Sequence, residues 1–207
     1  MRLRRCAAAL PVFLLVASLI PIGLSSANAV AGERGTALAG SDPAVMDEAA
    51  EFQRFELRLG TFVHDSLSPE RGSADINGEI LFAPFPRTPG SSANWLVPRL
   101  HVGATVNTAG KTSIAYAGFT WTYDISQRLF IEGAFGGALN NSRTGPIAVA
   151  GHNAMGCSAS FHEAASVGYR ITRAFSVLAT VEHSSNAGLC PQNRGLTNFG
   201  IRAAYAF

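Results

Sequence analysis

Eight stretches of this chain alternate apolar and polar residues with a period of two, the pattern of strands that have one apolar face. Phe55, Leu57, Leu59, Thr61 and Val63 alternate with Glu56, Arg58, Gly60 and His64. Ile76, Ile80 and Phe82 share one parity against Asp75, Asn77 and Glu79, and Leu100, Val102, Ala104 and Val106 one parity against Arg99, His101, Gly103 and Thr105. Residues 113–123 place Phe119, Trp121 and Tyr123 on one side. Leu129, Ile131 and Phe135 alternate with Glu132, Ala134 and Gly136; Phe161, Ala165, Val167, Tyr169 and Ile171 with His162, Ser166, Gly168 and Arg170. Val177, Ala179 and Val181 precede a last stretch of Phe199, Ile201, Ala203, Tyr205 and Phe207. The pattern predicts eight strands of about ten residues, an even number at the length of a strand that crosses a bilayer.

A soluble sandwich would also alternate. The C-terminus decides between them: a last strand that ends on Phe207, with Tyr205, Ala203, Ile201 and Phe199 behind it, looks like the terminal signal of bacterial outer-membrane barrels. The fold predicted for residues 51–207 is therefore an all-β, eight-stranded antiparallel transmembrane barrel, assembled by the barrel-assembly machinery through that strand. The polar parity carries Glu56, Arg58, Arg99, His101, Glu132, Arg170, Glu182 and Arg202. A barrel of eight strands has an interior just wide enough for side chains, so these charges predict a paired plug and not a pore.

Short segments at Asp124 to Arg128 and Thr172 to Ala174 read as periplasmic turns, and 64–75, 107–112, 139–160 and 184–197 as extracellular loops. The connection from Pro84 to Asn94 is long for the periplasmic side.

The N-terminus has another pattern. Arg2, Arg4 and Arg5 precede an apolar run from Ala7 to Leu24 that is broken by Pro11, Pro21 and Gly23, and Ala27-Asn28-Ala29 closes it with small residues. This predicts a signal peptide over 1–29, cleaved near Ala29, with 30–50 as a periplasmic lead-in that includes a short helix near Ala44 to Phe52. The expected location is the bacterial outer membrane.

Composition changes the picture in one respect. The chain is 14% charged and carries a formal +2, against about 25% charged residues in ordinary soluble domains. The leader takes three arginines and no acid, so the exported part is slightly acidic. A basic patch for nucleic acid is excluded. Cys157 and Cys190 remain after cleavage, and an exported pair is a candidate disulfide.

The candidate chemistry lies at 182–197. On a strand, His183 and Ser185 stand at i and i+2 and share the lipid-facing parity of Val177, Ala179 and Val181. Two readings are open: polar residues placed where the strand meets headgroups, or a base and a nucleophile aimed at a membrane substrate. From a turn near Arg173, ten residues at ~3.3 Å each and ~45° tilt rise roughly 23 Å, against an apolar band ~25 Å tall. That depth is the outer headgroup boundary.

The run His183-Ser184-Ser185-Asn186-Ala187-Gly188, followed by Pro191-Gln192-Asn193-Arg194-Gly195, resembles the lipid A 3-O-deacylase (PagL) family, outer-membrane esterases with a lipid-facing serine–histidine–acid site. The detailed match covers about 25 residues. The resemblance implies that Ser185 is the nucleophile and His183 the general base. Asn193 would donate to the oxyanion, supported by Asn186 and the loop backbone around Gly188. The substrate implied is the lipid A of lipopolysaccharide, with outer-membrane lipid as the surroundings. No cofactor and no metal are required by that chemistry; His152, His162 and Cys157 match no strong ligand spacing.

One position departs from the family: its glutamate falls on Thr197, which can bond an imidazole but brings no charge. Centring the preceding hairpin on Arg173 sets Glu163 opposite His183, on the otherwise apolar face of Phe161, Ala165, Val167 and Tyr169. A carboxylate there is costly without a partner, and opposed Cβ atoms lie ~4.5–5.5 Å apart. Glu163 is therefore the candidate acid. The rival reading is a catalytically silent barrel with a structural or adhesin role, supported by Thr197; a small soluble lipid-binding barrel is disfavoured by Phe207.

Overall fold

A computed structural model describes residues 55–207 apart from 86–90, 146 and 148. The expected signal peptide, its cleavage point and the lead-in with its short helix lie outside the described residues.

The alternating stretches form eight strands: β1 (Glu56–Val63), β2 (Ala74–Pro84), β3 (Arg99–Asn107), β4 (Ile114–Asp124), β5 (Leu129–Asn140), β6 (Ala159–Arg170), β7 (Phe175–Ser185) and β8 (Leu196–Ala206). They pair antiparallel in sequence order, and β8 closes on β1 to make a barrel. Closure leaves no unpaired edge, the condition for strands to stand in lipid. Phe207 completes the seam: its N–H donates to Phe55 O at 3.0 Å, and the two rings stack with centroids 6.1 Å apart.

The outer parity is an apolar coat that includes Leu59, Val106, Phe119, Val167 and Ile201, all exposed. The inner parity is buried and charged. Arg58 sends two nitrogens to the Glu132 carboxylate at 2.8 and 2.9 Å and also reaches Glu79 at 3.3 Å. Arg202 bridges Glu79 and Glu182, each at 3.4 Å, and Arg99 holds Glu56 at 2.8 Å. Arg170, nearer the rim, pairs with Asp124 at 2.6 Å. Buried charges persist where they are paired and hydrogen-bonded, and these are. His162 stacks on Tyr116 at 3.9 Å in the same layer. A cavity of about 10 Å³ between Arg58, Glu79, Glu132 and Arg202 has room for one water.

Apolar groups close both ends of the charged layer. Phe130, Leu178 and Ala204 lie toward the short turns; Ile114, Tyr116, Ala138, Met155 and Leu196 lie toward the long loops. The long β2–β3 connection has a physical reason on the short-turn side. Its 3-10 turn, Asn94–Leu96, folds against the outside of β4: Trp121 Nε1 donates to Leu96 O at 3.1 Å, and Trp95 meets Tyr123 edge-on. Together these rings form part of an aromatic girdle.

Candidate functional site on the outer wall

The β6–β7 turn spans only 171–174, so the hairpin register is tight. The register expected from a turn centred on Arg173 is the observed one: His183 faces Glu163, and Ser185 faces Phe161. On its other side His183 faces Thr197 of β8. Phe135, Glu163, His183 and Thr197 thus form one row across four strands. Ser185 stands two residues along β7 on the same outer face, and His183, Ser185 and Glu163 are all half-buried.

The imidazole is oriented by β8. His183 Nδ1 lies 2.8 Å from Thr197 Oγ1. Its other edge lies against the backbone of Gly195, where an added Cβ would approach Cε1 to 2.9 Å and Nε2 to 3.4 Å. Gly195 has φ +68°, in the left-handed region that side chains disfavour. Both conformation and space require glycine there. Glu163 Oε2 is buried without a hydrogen-bond partner among the described residues. No hydrogen bond joins Ser185 or Glu163 to His183 among those residues.

The β7–β8 loop is built around Asn186, which is buried. Its Nδ2 donates to Gln192 O at 2.6 Å and to Met155 O, its Oδ1 accepts from Gly188 N at 2.8 Å, and its N–H donates to Asn193 Oδ1 at 2.9 Å. Both amide protons of Asn186 are therefore spent, one inside its own loop and one on the β5–β6 loop, and Gly188 is part of the same turn. Ala187 (φ 54°) and Gly188 (φ 81°) are both left-handed, and Leu189 N returns to Asn186 O at 3.0 Å, a type I′ turn. Asn193 is exposed and uses its oxygen on Asn186, which leaves its amide protons toward solvent. Cys157 and Cys190 form a disulfide with Cα atoms 6.0 Å apart, tying the β5–β6 loop to this one. His152 is exposed on a loop and His162 lies in the lumen, well apart in setting from the bonded Cys157.

Sequence reasoning missed a second buried group at the long-loop end. His64 meets Asp75 at 3.0 Å and Glu70 at 3.1 Å, one carboxylate on each ring nitrogen. Burial pulls the imidazole down, but the hydrogen bonds to Asp75 and Glu70 and the nearby carboxylates outweigh it and raise its pKa to about 9. Burial also opposes ionisation of Glu70; its bonds from His64 and from the Asn153 and Thr112 N–H groups prevail and lower it to about 2. Asp65 is raised to about 6, chiefly by burial. His64 and Asp75 belong to the alternating stretches, but Asp65, Glu70, Thr112 and Asn153 come from connections without strand periodicity and meet across as many as 88 positions. No signal in the sequence joins them.

A closed eight-stranded barrel with an apolar coat, a charged plug and a histidine–serine pair on its lipid-facing wall defines a membrane barrel of the outer-membrane type with a candidate surface active site. The profile of the lipid A 3-O-deacylase (PagL) family matches residues 90–206, which include β3 to β8 and every candidate site residue. The chain belongs to that family. No curated protein matches it in sequence. Its fold is similar to the crystal structure of the outer membrane enzyme PagL, with TM-score 0.57 and 14% identity over 73% of this chain and 99% of that one. It is also similar to the N-terminal β-barrel domain of Pseudomonas aeruginosa OprF, with TM-score 0.50 and 12% identity over 74% of this chain and 96% of that one.

Proposed function

We propose that the chain is a serine esterase of the bacterial outer membrane that hydrolyses the 3-O-acyl ester of lipid A at its lipid-facing wall. What carries this reading is the row Glu163–His183–Thr197 with Ser185 beside it on the outer face, at the loop end of β7. His183 Nδ1–H donates to Thr197 Oγ1, which leaves the Nε2 lone pair to take the Ser185 proton. Ser185 Oγ attacks the ester carbonyl, and the amide protons of Asn193 steady the oxyanion. The sugar hydroxyl leaves with the proton from His183, and water then resolves the acyl-enzyme through the same base. The two tasks of a triad acid are to hold the tautomer and to offset the imidazolium charge. Thr197 performs the first, and the Glu163 carboxylate across the strand pair performs the second. The leader directs export and is cleaved near Ala29, and the strand ending in Phe207 is the segment read by the assembly machinery. The chemistry uses no cofactor.

The test is expression in a bacterium whose lipid A keeps its 3-O-acyl chain. The wild-type chain removes one hydroxyacyl chain from the lipid A mass spectrum, and Ser185→Ala and His183→Asn each abolish the change. An unaltered spectrum from correctly inserted wild-type barrel would establish the silent, structural alternative.

A further inference from the structure

Two residues where the β7–β8 loop enters β8 grip the imidazole of His183 from either side: Thr197 through its hydroxyl and Gly195 through its backbone. Neither is held in place by β7 alone. Gly195 O accepts from Asn153 Nδ2 at 2.7 Å, and Thr197 N donates to Asp65 Oδ1 at 3.3 Å. Asn153 Nδ2 also donates to Asp65 Oδ2 at 3.1 Å. One buried pair, drawn from the β1–β2 and β5–β6 loops, therefore reaches both sides of the ring from inside the barrel mouth.

The pair is itself over-determined. Asp65 has φ 40°, in the left-handed region that residues with a side chain disfavour. It is kept there by its own N–H, which donates to Asn198 Oδ1 at 2.9 Å. Asn153 N donates to Glu70 Oε1 at 2.7 Å, and Glu70 in turn takes the Thr112 N–H at 3.0 Å and faces His64. Asp65, Glu70, Asn153 and Asn198 are all buried. A cap that served only to close the lumen would have no need to end on the two backbone groups that frame His183.

We infer that Asp65 and Asn153 are positioning residues: by fixing Thr197 N and Gly195 O they set the His183 imidazole against Ser185. The inference rests on His183 being the base of the proposed esterase. Asp65 also lies before the span matched by the family profile, which begins at residue 90, so the first hairpin contributes to the site without carrying a reacting group.

The test uses the purified full chain folded in detergent micelles containing lipopolysaccharide. Release of the hydroxy acid is followed, and heat-modifiable gel migration reports folding. Asp65→Asn and Asn153→Ala each lower kcat roughly ten- to a hundredfold, the effect of a ~1 Å misplacement of a reacting group, while KM stays within about twofold. Combined with Thr197→Ala, Asp65→Asn costs clearly less than the product of the two separate losses, because both act on where one ring stands. Unchanged kcat in the folded variants, or losses that multiply in full and track only the folded fraction, would overturn the inference. If one variant does not fold, the other decides, since each holds a different side of the ring. His183→Asn, run alongside, separates the two levels. If it turns over like the parent, the esterase reading itself fails. If it is inactive while Asp65→Asn and Asn153→Ala match the parent, only the positioning role fails.

Discussion

His183 rests its Nδ1 on a hydroxyl, where its family provides a carboxylate. A threonine oxygen fixes the ring but cannot offset a positive imidazolium. The carboxylate facing it across β6–β7 is Glu163, whose Oε2 has no hydrogen-bond partner among the described residues. Glu163→Gln keeps the shape and removes the charge, so the loss in kcat measures the charge alone; it should stay below the ~10⁴ lost when a triad acid that also holds the tautomer is neutralised. Thr197→Ala should lower kcat as well, by releasing the ring. A Glu163→Gln barrel as active as the parent would show that the carboxylate merely sits in headgroup water. This part of the site was legible in the sequence because it depends on parity and on one short turn. The role of Asp65 and Asn153 was not, since two loop residues 88 positions apart leave no periodic trace.

His64 gives a second prediction at the same scale. Its pKa stands at about 9 in the fold against an ordinary 6.5, so folding favours the protonated ring. The stability it contributes is complete below about pH 6.5 and is lost as pH rises through about 9. The unfolding midpoint of the wild-type barrel should therefore fall across that window, and His64→Gln should start lower and lose this part of the slope. A wild-type midpoint that is flat from pH 6.5 to 9 would rule this out.

At the scale of elements, the strands carry the fold and the loops carry the aim. The β6–β7–β8 ladders keep His183 in its row without help from the disulfide, which joins only the two long loops. Asn193 depends on those loops, because its one described bond is to Asn186 of the same connection. Cys157→Ser with Cys190→Ser should therefore leave the barrel folded by gel migration and lower kcat by about tenfold, as expected for a loosened oxyanion donor whose complete loss costs ~10²–10³. Full turnover in the reduced or substituted barrel would place the oxyanion donor elsewhere. Alternation was enough to find all eight strands, because period two separates lipid from lumen. It was blind to the β2–β3 connection, whose fold on the outside of β4 depends on Trp121, Trp95 and Tyr123 meeting at the rim.

For the whole molecule, the low charge of the chain has two causes in one architecture. An apolar coat replaces the polar surface of a soluble domain, and the charges that remain are concentrated in a buried plug. Arg58 is its hub, with Glu56, Glu79 and Glu132 around one guanidinium. Arg58→Met leaves those carboxylates uncompensated and should destabilise the barrel by ~3–5 kcal/mol, the cost of removing one partner from a buried ionic pair. Denaturant unfolding checks this, and a loss under about 1 kcal/mol would mean that water already enters the lumen. The plug's existence followed from mixed charges on one parity and the width of eight strands. Its individual pairings did not, since side chains from opposite walls choose partners by reach.

The central claim is that Ser185, on the lipid-facing wall, is a nucleophile made reactive by His183. Phosphonate labelling of the folded barrel tests it most directly, with the adduct mapped by peptide mass. The account predicts an adduct on Ser185 that disappears in His183→Asn and persists in Ser184→Ala, the neighbouring hydroxyl that is buried and bonded to Phe161 O. A folded barrel left unlabelled at Ser185, or labelled equally well without His183, would contradict it.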